Sequence, residues 1–180
     1  MKKYIILLTV ILASVPVFSQ SDTDFDKWFI TIGGGINYST DGVLSNEEGE
    51  GTTTALTASI GRWFGPAVGL KFGYDGPRLK NDRHFPDGVD YYSLTVSALW
   101  NMTMPERKIN FIPYIFAGMA YANEKCFTAG FGLSLPVALG KYLRIVPDIK
   151  IATLDDKIYT SVHGGTNAVI EGTLGLRYSF

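Results

Sequence analysis

Bulky apolar residues recur at every second position through most of this chain. From Trp28 to Tyr38 the even positions are Trp28, Ile30, Ile32, Gly34, Ile36 and Tyr38, and the odd ones are Phe29, Thr31, Gly33, Gly35 and Asn37. A period of two sends successive side chains to opposite faces of an extended strand, whereas a helix would space its apolar residues by three and four. The same alternation runs through Thr54–Phe64 and through "PAVGLKFGYD", where Val68, Leu70, Phe72 and Tyr74 oppose Gly69, Lys71, Gly73 and Asp75. "YYSLTVSALWNM" sets Leu94, Val96 and Ala98 against Ser93, Thr95 and Ser97. "FIPYIFAGMAY" puts Pro113, Ile115, Ala117, Met119 and Tyr121 on one face, but both of its faces are apolar. "FTAGFGLSLPV" and "LRIVPDIKIA" follow, and an eighth run from about Asn167 closes the chain with Leu174, Leu176, Tyr178 and Phe180 on one face.

The connections alternate as well. "STDGVLSNEEGEGTT", "GPRLKNDRHFPDGV" and "LDDKIYTSVHGGT" read as long loops, and "FGP", "TMPERK" and "ALGK" as short turns, with "ANEKC" shorter than the other loops. One end of the molecule would therefore carry loops and the other turns, the asymmetry of a membrane barrel. The two faces agree. One carries Ile, Leu, Val and Phe with Trp or Tyr near strand ends; the other carries Gly, Ser, Thr and the strand charges Lys71, Arg144, Asp148, Lys150, Glu171 and Arg177. A soluble ligand-binding barrel would be apolar inside and charged outside. In lipid a sheet must close on itself, because each backbone polar group needs a partner. The pattern predicts an all-β fold: an eight-stranded antiparallel up-and-down transmembrane β-barrel, with Phe180 sealing the last strand against the first.

Composition adds a domain boundary. Lys2 and Lys3 precede the apolar run "YIILLTVILASVPVF", and small Ser19 follows, which is the form of a secretory signal peptide. Residues 1–19 are assigned to that signal, cut between Ser19 and Gln20, and 20–180 to the barrel domain. The net charge of -1 gives no reason to expect nucleic acid. The single Cys126 excludes an intramolecular disulfide and a cysteine-based zinc cluster.

The signal peptide, eight amphipathic strands, three short turns and a terminal aromatic two residues after Tyr178 together resemble the small outer-membrane barrels of the OmpA/OmpX type. "PYIFAGMAY" is similar to their fifth strand. The resemblance covers about residues 25–180. It implies a monomer in the outer membrane of a Gram-negative bacterium, with outer-membrane lipid around it. It also implies that Tyr178 and Phe180 form the signal read by the barrel-assembly machinery.

Specific chemistry is sparse. His84 and His163 are the two histidines, and both fall in expected loops. "SVHGGTN" places Ser161 and Thr166 near His163, yet an acyl-transfer site would hold nucleophile, base and orienting acid on rigid elements. "SNEEGEG" offers Glu47, Glu48 and Glu50 without calcium-loop spacing. No catalytic residue, cofactor or metal site is assigned. The six strand charges would fill the lumen and pair there, since unpaired buried charge is costly. Lys150 and Glu171 lie nearly equidistant from the middle of their connecting loop and could face one another. The expected role is structural or surface-interacting, through loops that meet an unidentified extracellular partner. The alternatives are a narrow pore for ions or small solutes and a lipid-modifying enzyme using His163.

Overall fold

The structure, a computed structural model, describes residues 28–40, 51–81, 85–103, 107–122, 124–154 and 168–180. Eight strands build the wall: β1 (Trp28–Thr40), β2 (Gly51–Trp63), β3 (Val68–Asn81), β4 (Phe85–Trp100), β5 (Ile112–Ala122), β6 (Glu124–Ser134), β7 (Leu143–Leu154) and β8 (Ala168–Ser179). Each pairs antiparallel with the next, and β8 pairs with β1, so the sheet closes. A further short pair, Val137–Ala138, meets Ile145 and Arg144 in the register that β6 already keeps with β7. It continues β6 beyond Leu135 and Pro136, where proline lacks the N–H that a ladder uses.

The registers fix the tilt. Stepping across paired residues from Trp28 leads through Arg62, Leu70, Ala98, Ile115, Phe131, Ile151 and Ile170 and returns to β1 at Tyr38, ten residues further along. Ten residues at about 3.3 Å, against eight strand spacings of about 4.8 Å, give a strand tilt of roughly 41°. The closure at the seam extends to the chain terminus. Trp28 N donates to Phe180 O at 3.1 Å, and Phe180 N to Trp28 O at 2.9 Å.

The faces divide as the alternation predicts. On β4, Leu94 is 65% exposed and its neighbour Thr95 only 7%. Ile30, Ile32, Ile36, Phe72, Ile115, Phe131, Ile149, Leu174 and Leu176 also point outward. Each such side chain left in water would forgo about 1.5–3 kcal/mol of burial. A belt of them around a closed barrel finds its apolar environment in a bilayer. Inside are Phe29, Tyr91, Leu99, Tyr114 and Phe116, all buried. The phase of β5, which composition left open, follows from this: Tyr114 and Phe116 face the lumen, Ile115 and Met119 the exterior.

Two connections are shorter than the sequence suggests. "GPRLKNDRHFPDGV" is mostly ladder, because β3 and β4 continue to pair at Arg78–Asp90, Leu79–Val89 and Asn81–Phe85. In "ANEKC", Ala122 already pairs with Glu124. Gly and Pro in the first segment read as loop signals, but strand pairing overrides that local preference. At the other end, the connection from Asn101 to Phe111 crosses to the one after β6. Ile109 bridges Val137, Ala138 N donates to Lys108 O at 2.8 Å, and Asn110 N to Pro136 O at 3.0 Å.

Candidate functional site

The inward positions of β1, β3, β4, β7 and β8 bring the lumen's charges together. Lys150 is the centre. Its Nζ lies 2.6 Å from Asp75 Oδ2 and 3.3 Å from Glu171 Oε1. Lys150 and Glu171 are direct cross-strand partners on β7 and β8, while Asp75 reaches Lys150 from β3 across the lumen. Ser93 Oγ donates to the same Asp75 oxygen at 2.7 Å. A second cluster forms around Asp148, which accepts Tyr114 OH at 2.6 Å and also the Ser134 hydroxyl. Lys71 Nζ sits 4.1 Å from the centre of the Tyr114 ring, on its face. Tyr114 thereby joins Lys71 to Asp148 without a direct ion pair.

Arg144 and Arg177 face each other in the ladder, and their side chains take different partners. Arg177 stacks on Phe29 at 4.4 Å, and its Nε donates to Thr31 Oγ1 at 3.2 Å. Arg144 Nη1 donates to Asn110 Oδ1. Asn110 Nδ2 donates in turn to Thr103 Oγ1 at 3.0 Å, and Thr103 Oγ1 to Asn101 Oδ1 at 2.8 Å. This polar chain ties the turn-end connection to the wall.

Of the six sequence-derived charges, then, Lys150 and Glu171 pair directly, Lys71 and Asp148 meet through Tyr114, and Arg144 and Arg177 part. Asp75 escaped that set although it holds the shorter of the two ion pairs at Lys150. It ends the run "PAVGLKFGYD", where the alternation puts it on the face of Lys71 and Gly73. Tyr178 and Phe180 lie on the outer face with rings 6.2 Å apart. Cys126 is buried. The 1–19 segment, His84, His163 and the Glu47, Glu48 and Glu50 cluster fall outside the described residues. Among the described residues no group of His, Cys, Asp or Glu could hold a metal ion.

Between these groups lies a cavity of about 50 Å³, lined by Thr57, Ser59, Gly73, Thr95, Tyr114, Lys150 and Glu171 among others. It has room for a few waters. What the arrangement can do is hold charge and water inside a filled barrel.

No protein-family profile matches the sequence, and no curated protein matches it. Solved structures do match. Neisserial surface protein A is 12% identical with a TM-score of 0.61, covering 85% of this chain and 97% of that one. The attachment invasion locus protein Ail of Yersinia pestis is 15% identical with a TM-score of 0.54, covering 87% and 100%. The N-terminal β-barrel domain of Pseudomonas aeruginosa OprF is 14% identical with a TM-score of 0.53, covering 86% and 98%. At such identity the likeness establishes the fold: that of small eight-stranded outer-membrane barrels, spanned nearly end to end.

Proposed function

We propose that this chain is a monomeric outer-membrane protein whose barrel is an anchor and whose longer connections make contacts at the cell surface. The turns face the periplasm in this reading, and residues 1–19 direct export and are cut off between Ser19 and Gln20. The observation that carries it is the filled lumen. Phe29, Leu99, Tyr91 and Tyr114 are each at most 2% exposed, Lys150 is held between two carboxylates, and the space left measures about 50 Å³. A barrel packed this way supports a scaffold rather than a conduit. The same fold carries proteins named for a surface location and for attachment and invasion. At their low identity those names go no further than showing such roles on this architecture. Absence of catalysis is part of the proposal: the serine hydroxyls that stand beside carboxylates on the described strands, Ser93 with Asp75 and Ser134 with Asp148, are buried in the filled lumen.

Planar-bilayer recording of the refolded protein tests the reading. No unitary conductance is expected in about 1 M salt, with folding verified by heat-modifiable gel migration. Steady single-channel steps, raised further by Lys150→Ala, would replace it with the narrow pore.

A further inference from the structure

Inside the lumen, cations outnumber carboxylates. Among the described side chains, the strands point Lys71, Arg144, Lys150 and Arg177 inward against Asp75, Asp148 and Glu171, which leaves one positive charge unbalanced. All three carboxylates are occupied. Asp75 and Glu171 share Lys150, Ser93 also donates to Asp75, and Asp148 takes the Tyr114 and Ser134 hydroxyls. Among the described residues, no carboxylate forms an ion pair with Lys71, Arg144 or Arg177. Arg177 lies on Phe29, and Arg144 reaches Asn110 toward the turn end. Lys71 Nζ has only the face of the Tyr114 ring, 4.1 Å from its centre. A ring face offers a cation less than an anion does, and a charge held in a lumen without one is costly.

Beside Lys71 is a hollow built of donors. Lys71 pairs with Ser97 across the β3–β4 ladder, and two residues on Gly73 stands between Ser59 on β2 and Thr95 on β4. Gly73 has no side chain, and a Cβ built on it would have Thr95 Oγ1, at 3.1 Å, as its one neighbour within 4 Å. All five residues line the cavity of about 50 Å³. No described group accepts a hydrogen bond from the hydroxyls of Ser59, Thr95 or Ser97. An ammonium and three hydroxyls therefore share one space with no acceptor assigned to them. Water would serve the hydroxyls and leave the charge; a small anion serves both.

We propose that this hollow is a binding site for one small monovalent anion of the chloride class, held by Lys71 Nζ and the hydroxyls of Ser59, Thr95 and Ser97. The anion balances the surplus charge of the lumen and fills the slack beside Gly73. The site requires the closed barrel alone, so its failure would leave the surface role standing.

The test uses the barrel refolded into phosphatidylcholine vesicles and unfolded by urea, in sodium chloride or in sodium gluconate at equal ionic strength. Gluconate is too large for the cavity. A site with a dissociation constant of about 10 mM would favour the folded state about tenfold in about 0.1 M chloride, with the gain levelling off as the site fills. In Lys71→Met the two salts should give the same stability. Ser59→Ala with Ser97→Ala keeps the charge and serves if Lys71→Met does not fold: it should cut the chloride gain to less than about threefold. Broadening of the chloride NMR resonance by the protein in non-ionic micelles should fall in parallel. Equal stability of the wild type in both salts would overturn the proposal and assign the hollow to water. A chloride gain that survives Lys71→Met, or that rises without levelling, would overturn it as a general salt effect on the folded barrel.

Discussion

The two walls of the lumen are built from opposite kinds of side chain. On β2, β3 and β4 the inward positions around the cavity are mostly small, with Thr57, Ser59, Gly73, Thr95 and Ser97 beside Lys71 and Asp75; on β5, β7 and β8 most are large, with Tyr114, Phe116, Asp148, Lys150, Glu171 and Arg177 beside Val146, Thr173 and Gly175. An eight-stranded barrel has an interior just wide enough for its side chains to fill, so volume spent on one wall must be withheld on the other. The slim wall sends two long polar groups across. Asp75 meets Lys150, and Lys71 lies on Tyr114. The bulky wall therefore depends on the slim one for charge, and the slim one leaves the slack that remains as a cavity. The difference teaches where substitutions should hurt: strongly where the bulky wall's charges or rings are disturbed, weakly where small residues face open space.

The largest effect is expected from Lys150→Met. It leaves Asp75 and Glu171 buried with no cation between them, and loss of one partner from a buried ion pair costs about 3–5 kcal/mol. Urea unfolding of the vesicle-inserted barrel, followed by tryptophan fluorescence, gives the figure. Adding Asp75→Asn and Glu171→Gln removes the orphaned charges and should recover most of the loss. A cost under about 1 kcal/mol for Lys150→Met alone would mean that water, not the ion pairs, solvates these carboxylates.

Tyr114→Phe comes next. The ring stays, so the Lys71 contact stays. Only the hydroxyl that donates to Asp148 at 2.6 Å is lost. A hydrogen bond to a charged group contributes about 1.5–3 kcal/mol, and the Ser134 hydroxyl still serves the same carboxylate. The same unfolding titration should place the loss near the lower end of that range. A larger loss, equal to that of Lys150→Met, would show that the two clusters behave as one network and that the walls are not separable.

Most of the wall was readable from the chain, because a period of two needs only neighbouring residues. Trp28–Tyr38 and the terminal run show it. Where both faces were apolar, as in "PYIFAGMAY", the phase could not be assigned, and Tyr114 and Phe116 were therefore absent from the expected lumen network. Lys150 and Glu171 could be matched because one loop joins their strands. Asp75 with Lys150 could not, since the contact spans the barrel between strands with no shared ladder, and only closure at a particular stagger brings them together. Gly and Pro in "GPRLKNDRHFPDGV" misplaced the hairpin for a similar reason: pairing between β3 and β4 decides that segment, not its own residues.

The finest discrimination compares one glycine from each wall. Gly132 lies opposite Tyr114 in the β5–β6 ladder, and a Cβ there would press into the Tyr114 ring and meet the Ile149 carbonyl oxygen at 2.8 Å. Gly73 on the slim wall offers a Cβ only one close neighbour, Thr95 Oγ1 at 3.1 Å, and beyond it the cavity. Overpacking costs about 1–3 kcal/mol, whereas replacing glycine by alanine where the backbone tolerates it returns about 0.4–1 kcal/mol through the unfolded chain. Gly132→Ala should thus lose about 1–3 kcal/mol and Gly73→Ala should change stability by less than about 0.5 kcal/mol in either direction. A double-mutant cycle assigns the cause. If the Tyr114 ring is what resists the new methyl, Gly132→Ala should cost markedly less in a Tyr114→Ala background. If its cost there is unchanged, the obstacle is the β7 backbone at Ile149, and the bulky wall is tight because of strand spacing rather than because of the ring laid over it.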